Sequence, residues 1–156
     1  MERRLGVAYN FKGGVKMVEI KKEELIDLKK IFEEQDDSLS DYKLLIKCID
    51  AEVLIHADEL NWQGDSWYLF KNNEGTMYGF LTFGWGSCSG CDALLACGSF
   101  DRVMTLLHTL KESIIWKTKE DMLEYFKTKD WSLDHYGEVD EFKDFKYKVI
   151  TMLGGF

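Results

Sequence analysis

Ser66-Trp67-Tyr68-Leu69-Phe70-Lys71-Asn72-Asn73-Glu74-Gly75-Thr76-Met77-Tyr78-Gly79-Phe80-Leu81-Thr82-Phe83-Gly84-Trp85 is the stretch on which the fold turns. Two aromatic-rich runs, Ser66–Lys71 and Thr76–Trp85, flank the turn sequence Asn72–Gly75, and that order predicts a β-hairpin over about 66–85. Tyr78, Phe80, Thr82 and Gly84 would share one face. Met77, Leu81, Phe83 and Trp85 are also apolar, so both faces need cover, which helices packed on a small antiparallel sheet would provide.

Helical spacing dominates on either side. Leu25, Leu28, Ile31 and Phe32 line one face of a helix ending near Asp36-Asp37. Ser38 or Ser40 offers an N-cap for a longer second helix. Its stripe is Leu39, Tyr42, Leu45, Ile46, Ile49 and Val53, with Cys48 and His56 beside it. Beyond the hairpin, Ser99 caps a helix carrying Val103, Leu106, Leu107, Leu110 and Ile114. Ile114-Ile115-Trp116 reads as a short strand. Thr118 with Asp121 resembles a capping box ahead of Met122, Leu123 and Phe126. Asp130–Gly137 is a polar-aromatic loop, and a last helix presents Val139, Phe142, Phe145, Val149 and Met152. The expectation is α+β: a small antiparallel sheet packed by four or five α-helices, in a single domain spanning 1–156.

Residues 1–20 form two short apolar pieces around Lys12-Gly13-Gly14, either an extra hairpin or a basic N-terminal extension; Met17 would be a second start. Residues 1–22 carry six basic groups against two acids, and the remaining residues carry 14 basic and 26 acidic groups. An acidic body repels phosphates, so direct binding to duplex DNA is not expected. The same charge serves solubility, or docks the protein on a basic, nucleic-acid-handling protein. Apolar residues at 46% and aromatics at 14% exclude a disordered chain. No apolar run is long enough to cross a membrane, and no secretory signal opens the chain. Proline is absent, which removes the cis-proline turn. The uneven placing of Cys48, Cys88, Cys91 and Cys97 suggests reduced thiols in a cytoplasmic protein.

Gly84-Trp85-Gly86-Ser87-Cys88-Ser89-Gly90-Cys91-Asp92 is where the chain departs from generic packing. A tight turn feeding a helix near Gly90–Ala93 is expected, with Cys88 and Cys91 close together. The helix start would favour a Cys88 thiolate, and Asp92 would complement its free amides. Trp85, Ser87, Cys88, Ser89, Cys91 and Asp92 are therefore the candidate binding residues. Three chemistries fit them. Cys88 and Cys91 have zinc-knuckle spacing, which Cys97 and a histidine would complete into a zinc site. A Cys-x-x-Cys is also a dithiol, although the thioredoxin-like version needs a cis-proline and a βαβ context. Backbone N–H groups at a helix start also cradle anions or nucleotides, although the Walker A lysine is missing. The bland alternative makes the cysteines small packing residues. A Cys88 nucleophile would need His56, His108 or His135 as its base, and no nucleophile motif surrounds them. Asp130, Asp134, His135, Glu138, Asp140 and Glu141 make an acidic cluster that a solvated helix start explains as well as a hard cation does.

The segment Phe83-Gly84-Trp85-Gly86-Ser87-Cys88-Ser89-Gly90-Cys91-Asp92-Ala93-Leu94 resembles one found in small phage and prophage proteins. Asp130-Trp131 and Glu138–Phe142 extend the likeness over roughly 60–156. The resemblance implies a mobile-element setting and the cytoplasm of an infected or lysogenic cell, and it carries over no catalytic residue. The expected function is a non-enzymatic accessory protein that binds and inhibits a host or defence protein, of anti-CRISPR or other anti-defence type. The alternative is a small enzyme or a ligand- or metal-binding protein that uses the Cys88–Cys91 loop.

Overall fold

The computed structural model describes residues 18–155, so the expectations about the basic start and Met17 lie outside the described residues. These residues form an α+β fold with five α-helices and one four-stranded antiparallel sheet of order β1-β2-β3-β4. The helices are α1 (Lys22–Glu34), α2 (Lys43–Ile46), α3 (Phe100–Ser113), α4 (Lys119–Thr128) and α5 (Asp140–Met152). The strands are β1 (Glu52–Asp58), β2 (Gly64–Lys71), β3 (Tyr78–Trp85) and β4 (Ile115–Lys117). No helix among the described residues is long and apolar enough to cross a membrane. The chain divides into two compact units, residues 18–50 with 85–113 and residues 51–84 with 114–155.

The second unit is built on the expected hairpin. Asn72 closes its turn by accepting from Thr76 N at 2.9 Å and Met77 N at 3.0 Å. Gly75 takes φ +76°, a left-handed conformation that costs glycine nothing. β4 pairs with β3 through Phe80↔Ile115 and Gly79↔Trp116. Thr118 caps α4 by accepting from Asp121 N, as its spacing indicates. One aromatic cluster fills this unit: Trp67, Phe80, Phe126, Trp131, Tyr136, Phe142 and Phe145 are all buried. Edge and tilted contacts dominate it, such as Phe80–Phe126 at 5.1 Å and 80°, and Trp131–Phe142 at 5.0 Å. Trp131 donates its indole N–H to Phe126 O at 3.0 Å, so the polar-aromatic loop supplies a core residue. On α5, Ile150 is buried where Met152 was expected, and Met152 is largely exposed.

The long second helix does not form. α2 covers four residues, and the chain then tightens to i→i+3 bonds, Cys48 N to Leu45 O and Ile49 N to Ile46 O. Ile49 bridges to Ile20, which draws the backbone out of helical geometry. Residues 52–58 become β1, paired antiparallel with β2, where Val53 and Ile55 suit a pleated surface. Of the stripe, Leu39, Tyr42, Leu45, Ile46 and Ile49 are buried, while Val53, on β1, is exposed. Neither Ser38 nor Ser40 caps α2: Asp41 accepts from Lys43 N at 3.0 Å, and Ser38 donates back to Gln35 O. In the same unit Leu28 and Phe32 on α1 are buried, as are Val103, Leu107 and Leu110 on α3. Phe32 meets Phe100 at 5.8 Å. Asp36 and Asp37, at φ +55° and +59°, turn the chain out of α1.

Candidate functional site

The cysteine loop is organised by one buried carboxylate. Asp92 is 5% exposed. Its Oδ1 accepts from Leu94 N at 2.9 Å, Leu95 N at 3.1 Å and the Tyr42 hydroxyl at 3.0 Å. Its Oδ2 accepts from Gly86 N at 2.9 Å. Leu94 N also donates to Tyr42 Oη at 3.1 Å, and the Leu94 side chain is fully buried. Asp92 thus ties the residue entering the loop to those leaving it, and anchors both to the residue preceding α2. Burial pushes the Tyr42 hydroxyl well above the usual tyrosine range, partly offset by the amide of Leu94.

Between these anchors Cys88 and Cys91 meet. Their sulfurs lie 2.8 Å apart, and both side chains are exposed. Cys88 N donates to Cys91 Sγ at 3.2 Å, Cys91 N donates to Cys88 O at 3.0 Å, and Cys91 S–H reaches Cys88 O at 3.2 Å. Hydrogen bonding from Cys91 and from the Gly90 backbone holds the Cys88 thiol below its ordinary value. Gly86 is required by close approach, since a Cβ there would sit 2.6 Å from Cys91 Sγ and 2.8 Å from Cys91 O. Ser87 and Ser89 are exposed, and Trp85 is half-buried with an indole N–H that finds no acceptor among the described residues.

Several expectations change here. The helix at Gly90–Ala93 is replaced by turns, such as Ala96 N to Asp92 O, and α3 starts only at Phe100. Local hydrogen bonds therefore lower the Cys88 thiol, with no helix end involved. The amides of Gly86, Leu94 and Leu95 donate to the protein's own Asp92 carboxylate. Cys97 is not brought to the pair. It is buried, its S–H donates to Ala93 O at 3.2 Å, and burial pushes the thiol up. Among the described residues no group of three or more His, Cys, Asp or Glu side chains converges as metal ligands, so two thiols alone fall short of a four-coordinate zinc site. Cys48 is likewise buried, donates to Leu44 O at 3.5 Å and is pushed up to about 11.

The histidines and the acidic cluster have partners of their own. His56 stacks on Tyr68 at 4.1 Å and bonds Asp58 at 2.8 Å. Ser66 also donates to Asp58 Oδ1. Serine, aspartate and histidine come together, but the carboxylate sits in the middle, so the imidazole cannot take the serine proton. His135 pairs with the buried Asp65 at 2.7 Å, and His108 is exposed on α3. Asp130 caps the 3-10 turn Trp131–Leu133 through Ser132, which holds its carboxyl below the usual range. Asp134 pairs with Lys129 and Glu138 with Lys143, while Asp140 and Glu141 open α5. Solvated caps and ion pairs thus account for the cluster.

Sequence reasoning missed Tyr42 as an anchor, because nothing local connects it to a carboxylate 50 positions away. It also missed the connection 59–63 between β1 and β2, where Leu60 is 80% and Trp62 84% exposed. Asn61 and Gly64, with the acids Asp58, Glu59 and Asp65, are the local signal of that turn. Comparison with protein-family models, with curated proteins and with solved structures finds no match.

Proposed function

We propose that the protein works by binding another protein, with the turn 59–63 as its contact point and a basic surface as its target. The observation that carries this reading is Trp62, a large aromatic side chain left 84% exposed at the tip of a sheet connection. An exposed tryptophan costs solubility and gains nothing in the isolated chain, whereas at an interface it is among the residues that dominate binding. Leu60, two residues before it, is 80% exposed and adds apolar area. The acidic excess of residues 23–156 would attract a basic partner.

In its specific form the reading is a phage or prophage accessory protein that inhibits a host or defence protein, of anti-CRISPR or other anti-defence type. That form rests on the likeness of residues 83–94. That form would have the protein act in the cytoplasm of an infected or lysogenic cell. The test is capture from a host lysate by wild-type protein and by Trp62→Ala in parallel. A partner retained by the wild type should be lost roughly 30-fold or more from the variant, the loss that marks an interface hot spot. It should also elute with rising salt. Equal capture by both proteins ends this reading.

A further inference from the structure

We propose that Cys88 and Cys91 are a reversible dithiol–disulfide site that takes low-molecular-weight disulfides of the oxidised-glutathione class. This goes beyond the docking reading and does not depend on it. Two exposed thiols 2.8 Å apart need to close by only a fraction of an ångström to reach a bond of about 2.0 Å. Asp92 holds the backbone on both sides of the pair, so the approach is built in before any oxidant arrives. Gly86 leaves room for Cys91 that any side chain would take.

The two thiols also have distinct roles. Hydrogen bonds from Cys91 and from the Gly90 backbone stabilise the Cys88 thiolate, which makes Cys88 the attacking sulfur. Its thiolate attacks one sulfur of the small disulfide, forming a mixed disulfide and releasing one small thiolate. Cys91 then gives up its proton and attacks Cys88 Sγ, closing the ring and releasing the second small thiol. Two protein thiols become one disulfide while one small disulfide becomes two thiols, so electrons and protons balance. Cys48 and Cys97, buried and with thiols pushed up, are the built-in contrast.

The experiment treats the reduced full-length protein with oxidised glutathione and follows intact mass and free-thiol count. The wild type should lose two hydrogen atoms, show two alkylatable thiols when alkylated in denaturant, and show four in denaturant after treatment with dithiothreitol. Cys91→Ser, checked for native circular dichroism, should stop at one glutathione carried on Cys88. A wild type that keeps four free thiols overturns the proposal, as does one that accumulates glutathione without closing the ring. Glutathione on Cys48 or Cys97 of Cys91→Ser, with Cys88 free, overturns it too. The wild-type measurement needs no variant to fold.

Discussion

Phe142 and Asp92 are both buried, yet their neighbours are of opposite kinds. Phe142 lies among Trp67, Trp131, Tyr136 and Phe145, in a cluster whose attraction is non-directional and shared among many rings. Asp92 lies among three amides and a phenol, each aimed at one carboxylate. The aromatic unit draws its stability from area removed from water. The loop draws its shape from a few directed bonds that no nearby residue can replace. Such bonds add modestly to stability when made, and cost more when a buried donor is left without its acceptor. The aromatic cluster therefore confers global stability, while Asp92 sets the local geometry that brings two thiols together.

Three changes test that contrast. Phe142→Ala should cost the most, roughly 3–5 kcal/mol, because the cavity cannot fully collapse among rings packed on every side. Thermal or urea unfolding measures it, and a loss below about 1 kcal/mol would mean the cluster is not the main support. Asp92→Ala should cost less, roughly 2–3 kcal/mol, from donors left unpaired. Its distinguishing sign is local: hydrogen exchange at Gly86, Leu94 and Leu95 should speed up more than at amides of α5. Uniform acceleration would erase the contrast.

Alkaline pH examines the same anchor. Burial raises the Tyr42 hydroxyl, so the folded protein keeps a proton that the unfolded chain releases. This contribution is complete below the ordinary tyrosine value of about 10 and is lost as pH rises beyond it. Tyr136, buried in the other unit, acts in the same direction. Tyr42→Phe should make the alkaline fall shallower, at a cost of about 1 kcal/mol at neutral pH for the lost hydrogen bond. An unchanged alkaline slope would remove Tyr42 from the account.

Much of the fold was legible because its signals are local. The hairpin turn at 72–75, the Thr118 cap and the apolar faces of α1, α3 and α5 each depend on residues within a few positions of one another. β1 was not legible. Leu45, Ile46, Ile49 and Val53 fit a helical stripe by spacing, and only pairing with β2 and the Ile20–Ile49 bridge decide otherwise. At the site, the short Cys-x-x-Cys spacing announced that the thiols would be near each other. It could not show that Cys97 stays apart, or that Asp92 takes the amides of Gly86, Leu94 and Leu95.

The amino-acid sequence by itself determined the α+β class, the acidic body and the nearness of Cys88 to Cys91, since composition, periodicity and short spacings act through neighbouring residues. Tertiary structure alone decided that residues 52–58 are a strand, that Tyr42 and Asp92 meet across 50 positions, and that Trp62 is left in water. Those outcomes depend on which distant segments pair, and pairing is settled by the burial and hydrogen bonding of the whole chain.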